Sequence, residues 1–218
     1  MKAEIASSVV FVHGLGGDYL ETWKSKLDET VWPKDLLSQL GRFRKARIFS
    51  FDYDATAFLT PFEKETKGST FQFAESLLDT LADSRLGPAA KTRPIVFVGH
   101  SLGGIVIKAA LRHAKLLSSQ FGDILSYTKA IVFFGTPHQG ADAAAWAVLL
   151  GEIGSWVRLR NTEVVEELKR WSDPLVQLTR QFKEIPSLYG IHITSFYETQ
   201  ATASLKVSGD IVPCVLLC

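Results

Sequence analysis

Two kinds of segment alternate along the chain. Short runs rich in β-forming residues, predicted as strands, occupy residues 8–12, 46–51, 94–98, 129–134, 192–197 and 210–213. Longer segments carry apolar residues at helical spacing, and they lie near 33–40, 70–82 and 105–117. Strands that alternate with helices are typical of a mostly parallel sheet flanked by helices. The pattern therefore predicts an α/β fold.

The apolar pattern of some segments also predicts how they pack in the fold. The run 94–98 is wholly apolar, as expected of a central parallel strand covered on both faces. A helix from about Pro33 should carry Leu36, Leu37 and Leu40 on one face. The segment 141–184 reads as a long helical insert. We expect it to form a lid or pocket wall, with plain helical packing as an equal alternative.

A serine motif follows the central run. Residues 99–103, Gly-His-Ser-Leu-Gly, match G-x-S-x-G between an apolar strand and an apolar helix, which is the context this motif requires. Gly99 and Gly103 let the helix pass close to the strand, and Ser101 should have a strained backbone. The hydroxyl of Ser101 would stand at a helix N-terminus, where developing negative charge is favoured. The motif therefore predicts Ser101 as a nucleophile.

A glycine-rich loop, His13-Gly-Leu-Gly-Gly17, follows the first run. Acyl transfer needs two backbone N–H groups aimed at an oxyanion. We expect one from Leu102, after the nucleophile, and one from Leu15 in this loop. Gly14 would let the backbone approach the substrate, and His13 should fix the loop rather than act as a base. The loop lacks the phosphate-binding patterns G-x-G-x-x-G and Gly-Lys-Ser/Thr.

The acid and the base of a triad should follow the nucleophile in the chain. Glu198 lies just past the fifth run and is the candidate acid, with Asp210 as the rival. No histidine follows His192. His100 flanks the nucleophile but should point elsewhere on the turn, and His113 lies about three turns along the next helix. His138, in the loop after the fourth run, is the one histidine with a position that allows it to face the site.

Composition and charge narrow the function classes. Lys and Arg number 24 against 23 Asp and Glu, and the densest basic cluster, residues 42–47, is interpreted as solvated surface. Charge therefore gives no argument for a nucleic-acid partner. The two cysteines, Cys214 and Cys218, do not form a disulfide framework, so a reducing interior is expected. We find no secretory signal and no bilayer-spanning run, and we expect neither a metal nor a cofactor.

Several motifs together resemble a known family. They are Phe11–Gly17, Thr22-Trp23, Trp32-Pro33, Ala46–Ile48, Phe97–Ile105 and Phe134–Gly140. Their order, across about residues 8–213, resembles a family of serine esterases and lipases of the α/β-hydrolase fold. That family includes serine-active-site-containing proteins of eukaryotes and the N-terminal hydrolase domains of fungal NACHT proteins.

The resemblance implies a Ser-Asp/Glu-His hydrolase that acts on a lipid-like ester, with Ser101 and the 13–17 loop in the site. It also implies an intracellular protein, with peripheral association at mitochondrial or endoplasmic-reticulum membranes as in some relatives. In the family an Asp/Asn-His pair follows the last strand, whereas this sequence continues as Cys-Val-Leu-Leu-Cys218. We therefore expect one domain over 1–218, truncated at its C-terminus, without the final helix and the base-bearing loop.

Two function classes remain open. The first is a serine hydrolase on carboxylic esters. The second is a catalytically impaired hydrolase-fold domain that serves binding or signalling, or a fragment of a larger protein. Fold class alone does not decide between them.

Overall fold

The computed structural model of the chain describes residues 6–14, 16–55, 69–136, 138 and 177–196. Within these residues, five parallel strands form one sheet in the order β2-β1-β3-β4-β5. They are β1 (Ser8–Val12), β2 (Arg47–Phe51), β3 (Ile95–His100), β4 (Thr128–Phe134) and β5 (His192–Phe196). The predicted α/β architecture and these five strands are confirmed. The sixth predicted strand, 210–213, lies outside the described residues.

The helices connect the strands and cover the sheet. They are α1 (Trp32–Asp35), α2 (Ser69–Ser84), α3 (Pro88–Lys91), α4 (Leu102–Leu116), α5 (Ser118–Tyr127) and α6 (Ile185–Tyr189), with 3-10 turns at Glu21–Trp23 and Leu37–Gln39. Residues 177–182 are also helical. The predicted helices over 70–82 and 105–117 are confirmed as α2 and α4. Residues 141–176 of the predicted insert lie outside the described part of the chain.

The helix predicted from about Pro33 is present as α1, but the prediction that it carries Leu36, Leu37 and Leu40 on one face is wrong. The α-helix ends at Asp35, and a 3-10 turn follows it. The 3.6-residue spacing is therefore lost, because a 3-10 turn has three residues per turn. Leu36 and Leu40 are 50% and 57% exposed, and only Leu37 packs against a core cluster.

The core lies on both faces of the sheet. Val10 and Val12 of β1 belong to the larger cluster with α2, α4 and α5, whereas Val9 and Phe11 belong to a smaller cluster on the other face. Successive side chains of a strand point to opposite faces, so a strand buried on both must be apolar throughout. The same holds for β3, and its prediction as a central covered strand is confirmed.

The register brings the carboxyl ends of three strands together. Val12 of β1 is level with Gly99 of β3, and His100 is level with Phe134 of β4. The segments that follow these strands therefore leave the sheet side by side. In open parallel sheets this edge is where ligands bind. β5 lies beside β4, and all five of its residues are exposed.

Candidate active site

Ser101 occupies the turn between β3 and α4 in a strained conformation. Its φ is 51° and its ψ is −121°, and it is one of two described non-glycine residues with positive φ. Such a backbone costs on the order of 1–3 kcal/mol and persists only where the surrounding structure holds it. The side chain of Ser101 makes no capping hydrogen bond to α4. Its hydroxyl is therefore not used to start the helix.

The glycines of the motif are required by close backbone contacts. A Cβ atom at position 99 would lie 2.7 Å from Cα of Gly104. At position 103 it would overlap the carbonyl oxygens of Val12 and His13. The start of α4 thus passes directly against β3 and the end of β1. This close crossing is the physical reason why glycines stand on both sides of Ser101.

The end of β4 holds the backbone of Ser101. The N–H of Ser101 donates to the carbonyl of Phe134 at 2.8 Å, and its carbonyl accepts from Oγ1 of Thr136 at 3.1 Å. Thr136 is 7% exposed and packs against Gly104, where a Cβ atom would overlap it. Thr136 was not among the residues predicted from sequence. The available signal was the Gly-Thr-Pro sequence directly after an apolar run, where a turn at the carboxyl end of a strand is expected.

The loop after β1 reaches the same turn. A Cβ atom at position 14 would lie 2.8 Å from Cβ of Ser101, so Gly14 is in direct contact with the serine. Leu102 begins α4, and the first N–H groups of a helix have no intrahelical acceptor. The amide of Leu102 is therefore a donor beside Ser101. Leu15, predicted as the second donor, lies outside the described residues.

His13 is buried at the base of this loop. Its ring stacks on Tyr53 at 4.5 Å, and its Nδ1 is 2.9 Å from the carbonyl of Gly14. The hydroxyl of Tyr53 in turn donates to the carbonyl of His13 at 2.8 Å, and burial raises the pKa of Tyr53 above its usual range. These contacts hold the loop in place, and Nε2 of His13 lies 3.6 Å from Asp52.

Within the described part of the chain, His100 and His113 form no hydrogen bond with the side chain of Ser101. The ring of His100 lies edge-on to Trp23 at 6.4 Å, and its Nδ1 is buried. Burial, and then the charge of His13, lower the pKa of His100. His113 packs against Phe121 on α5.

His138 bridges α4 and β5. Its Nδ1 is 3.1 Å from Nζ of Lys108, and its Nε2 is 3.0 Å from Oγ of Ser195. An ammonium group can only donate, so Nδ1 accepts and the neutral ring keeps its proton on Nε2. That proton is then directed at Ser195. Both ring nitrogens of His138 are therefore engaged away from Ser101.

The pKa values of Lys108 and His138 are both lowered in this bridge. Burial lowers the pKa of Lys108 to about 8, and burial together with the charge of Lys108 lowers the pKa of His138 to about 4. Nζ of Lys108 also lies 5.4 Å from the centre of the Phe133 ring. Sequence reasoning missed Lys108, although a lone lysine within the apolar run 105–111 was a visible signal. Such a lysine usually has a specific buried partner.

The candidate acids are not positioned by the structure. Glu198 and Asp210 both lie outside the described residues. Within the described ranges, His, Cys, Asp and Glu side chains do not gather in groups of three that could hold a metal ion.

A surface cavity of about 430 Å³ lies apart from Ser101. Its lining is mainly apolar, and it belongs to β1, β2 and the segment between them. The lining includes Phe11, Leu20, Trp23, Pro33, Lys34 and Ile48. Ser101 and Leu102 do not line it. The cavity is therefore not the space in which a substrate would meet the nucleophile.

A strained serine after a central parallel strand, a glycine loop in contact with it and a helix that begins at the next residue are features of the α/β-hydrolase fold. The chain belongs to the alpha/beta hydrolase family, whose model matches residues 9–205. In the described part of the chain, no helix is both long and apolar enough to cross a membrane.

Curated relatives match over most of the chain. Protein SERAC1 of Danio rerio is 30% identical and that of Bos taurus is 31% identical, each over 91% of this chain and 31% of the relative. The human protein SERAC1 is 27% identical over similar shares. This chain thus spans about a third of the length of these relatives. Among solved structures, the mature Bacillus licheniformis lipase BlEst2 is 20% identical over 80% of this chain and 63% of its own, with a TM-score of 0.44.

Proposed function

We propose that this protein is a serine hydrolase that acts on carboxylic esters, with Ser101 as its nucleophile. The observation that carries the proposal is the backbone of Ser101, at φ 51° between the central strand β3 and the first residue of α4. Backbone strain of this kind clusters at active sites, where the surrounding structure holds the residue in place. The family provides a hydrolase fold around this turn.

Each group in the reaction has a specific task. Oγ of Ser101 attacks the ester carbonyl carbon, and the amides of Leu102 and Leu15 stabilise the oxyanion that forms. The partial positive charge at the N-terminus of α4 acts in the same direction. A histidine base accepts the hydroxyl proton and later protonates the leaving alcohol, and Glu198 orients that histidine. The described residues do not supply this base.

The ester in this proposal is lipid-like, and the protein works inside the cell against a membrane surface. The resemblance to lipases and esterases suggests an acyl substrate. Large apolar side chains stand exposed between β1 and β2, namely Tyr19, Leu20, Leu36 and Leu40. Exposed apolar surface favours contact with lipid or with a partner protein. Co-sedimentation with phospholipid vesicles tests this part, and Leu36→Ser with Leu40→Ser should weaken it.

Ester turnover tests the nucleophile. Ser101→Ala should reduce hydrolysis of a short p-nitrophenyl ester to the background rate, because loss of the nucleophile costs as much as loss of a whole triad. Ser126→Ala, an exposed serine on α5, is the matched control and should keep the wild-type rate. Circular dichroism should be unchanged in both. Equal rates for Ser101→Ala and wild type would overturn the assignment.

The acid needs a separate test. Glu198→Gln should slow turnover by orders of magnitude, since a neutral amide no longer stabilises the imidazolium. If Asp210→Asn is the damaging change and Glu198→Gln is harmless, the acid is Asp210.

One observation favours a second candidate function. Among the described histidines, none forms a hydrogen bond with Ser101, and His138 has both ring nitrogens engaged elsewhere. A hydrolase fold without a base would bind an ester or a related ligand and turn it over at a trace rate. Binding of a substrate ester without measurable hydrolysis, in wild type as in Ser101→Ala, would identify this function.

A further inference from the structure

The peptide unit between Ser101 and Leu102 links a hydrogen-bond acceptor and the proposed oxyanion donor in one rigid group. Its carbonyl belongs to Ser101, and its N–H belongs to Leu102. A trans peptide is planar, and its C=O and N–H point in opposite directions. Whatever fixes the direction of the Ser101 carbonyl therefore also fixes the direction of the Leu102 N–H.

Thr136 holds the carbonyl of Ser101 through a hydrogen bond. Its Oγ1 donates to the carbonyl of Ser101 at 3.1 Å, and a longer bond of 3.2 Å comes from the N–H of Gly104. Thr136 is buried, and its side chain packs directly against the backbone of Gly104. This close packing leaves the Thr136 side chain little freedom to rotate. A hydrogen bond to the carbonyl also polarises the peptide and makes its N–H a better donor.

Thr136 is held on both sides along the chain. Before it, Gly135 leaves β4 at φ 56°, and its N–H donates to the carbonyl of Phe196 at 2.9 Å. After it, His138 is bound between Lys108 on α4 and Ser195 on β5. Gly135 and His138, which flank Thr136 along the chain, are thus bound to β5 and to α4.

We propose that Thr136 is a positioning residue for the oxyanion donor, acting through the Ser101–Leu102 peptide. Its hydroxyl holds the peptide plane so that the Leu102 N–H faces the space in front of Oγ of Ser101. The proposal rests on the proposed function of Ser101 as a nucleophile. It adds a residue that does not touch the substrate and that no motif of the fold assigns.

The first test is kinetic and uses a fluorophosphonate, which forms a tetrahedral adduct with an oxygen in the oxyanion position. Thr136→Val keeps the shape and removes the hydroxyl, whereas Thr136→Ser keeps the hydroxyl and removes the methyl group. We expect Thr136→Val to lower the maximal labelling rate of Ser101 on the order of tenfold with little change in half-saturation. That is less than the 10²–10³ for loss of an oxyanion donor itself. Thr136→Ser should recover most of the rate.

The second test does not depend on reactivity. The ¹³C shift of the Ser101 carbonyl and the ¹H shift of the Leu102 amide should move together in Thr136→Val and return in Thr136→Ser. Unmoved shifts in Thr136→Val would overturn the proposal. A wild-type rate in Thr136→Val would do so as well. If wild type is not labelled at Ser101 at all, the proposed function fails, and the two chemical shifts alone then decide whether Thr136 holds the peptide.

Discussion

Gly14 and Ser101 are packed so closely that a single methyl group would not fit between them. A Cβ atom at position 14 would lie 2.8 Å from Cβ of Ser101 and 3.0 Å from the carbonyl of His100. The loop after β1 and the turn after β3 therefore form one unit. A change in the first should be felt at the side chain of the second.

Gly14→Ala should impair the reaction more than the fold. The added methyl group must displace Ser101 or the loop, and a misplacement of about 1 Å can cost roughly 10²-fold in rate. Ester turnover and thermal unfolding measure the two effects. Gly41→Ala is the control, because a Cβ atom there meets nothing within 4 Å. Wild-type turnover in Gly14→Ala would show that the contact between the loop and Ser101 does not control the position of the nucleophile.

Gly103→Ala and Gly122→Ala should have opposite effects on stability. Both glycines lie in helices, but a Cβ atom at 103 would overlap backbone oxygens of β1, whereas one at 122 has only Cβ of Ser118 at 3.7 Å. Overpacking costs about 1–3 kcal/mol or more, and Gly→Ala in an open helix position gains up to about 1 kcal/mol. Urea unfolding measures both. Equal midpoints in the two variants would contradict the tight crossing at the motif.

His138→Gln distinguishes a bridge from a base. If His138 only links Lys108 to Ser195, the change should slow ester turnover by less than about tenfold. Loss of a catalytic base should instead cost orders of magnitude. His113→Gln, on a helix away from Ser101, is the control. A collapse of turnover comparable to that of Ser101→Ala would make His138 the base and would refute its assignment as a bridge.

Lys108 should make stability depend on pH in the alkaline range. Its pKa is about 8 in the folded state against 10.5 for an ordinary lysine, so between these values the unfolded chain binds more protons. Stability should therefore rise with pH across this window, by up to about 3 kcal/mol from this group. Lys108→Met should lose this rise. Parallel curves of unfolding free energy against pH for wild type and Lys108→Met would contradict the effect.

The sequence predicted the central strands well because β1 and β3 are buried on both faces and are therefore apolar along most of their length. The run at 94–98 could be recognised as central for this reason, and Ser101 followed from the glycines on each side of it. The leucines at 36 and 40 misled the prediction, because their spacing is helical while the chain turns into a 3-10 segment. Helix α5 was missed because Leu117 is the sole non-helical residue that separates it from α4.

The contacts around the site were less predictable. The bond from Thr136 to Ser101 joins residues 35 apart, and that from His138 to Ser195 joins residues 57 apart. Such pairs depend on strand order and register, which local spacing does not specify. The role of His13 as a loop residue was accessible, because it sits within a glycine-rich turn. Its stacking on Tyr53 was not.

Identification of the serine that a fluorophosphonate modifies tests the central claim most directly. Ser195 is the rival to separate from Ser101, because among the described serines its hydroxyl lies 3.0 Å from a ring nitrogen of His138. Peptide mass spectrometry of labelled wild type, Ser101→Ala and Ser195→Ala separates the two. We predict modification at Ser101 in wild type and in Ser195→Ala, and none in Ser101→Ala. Label on Ser195, or label that persists in Ser101→Ala, would contradict the assignment of Ser101 as the nucleophile.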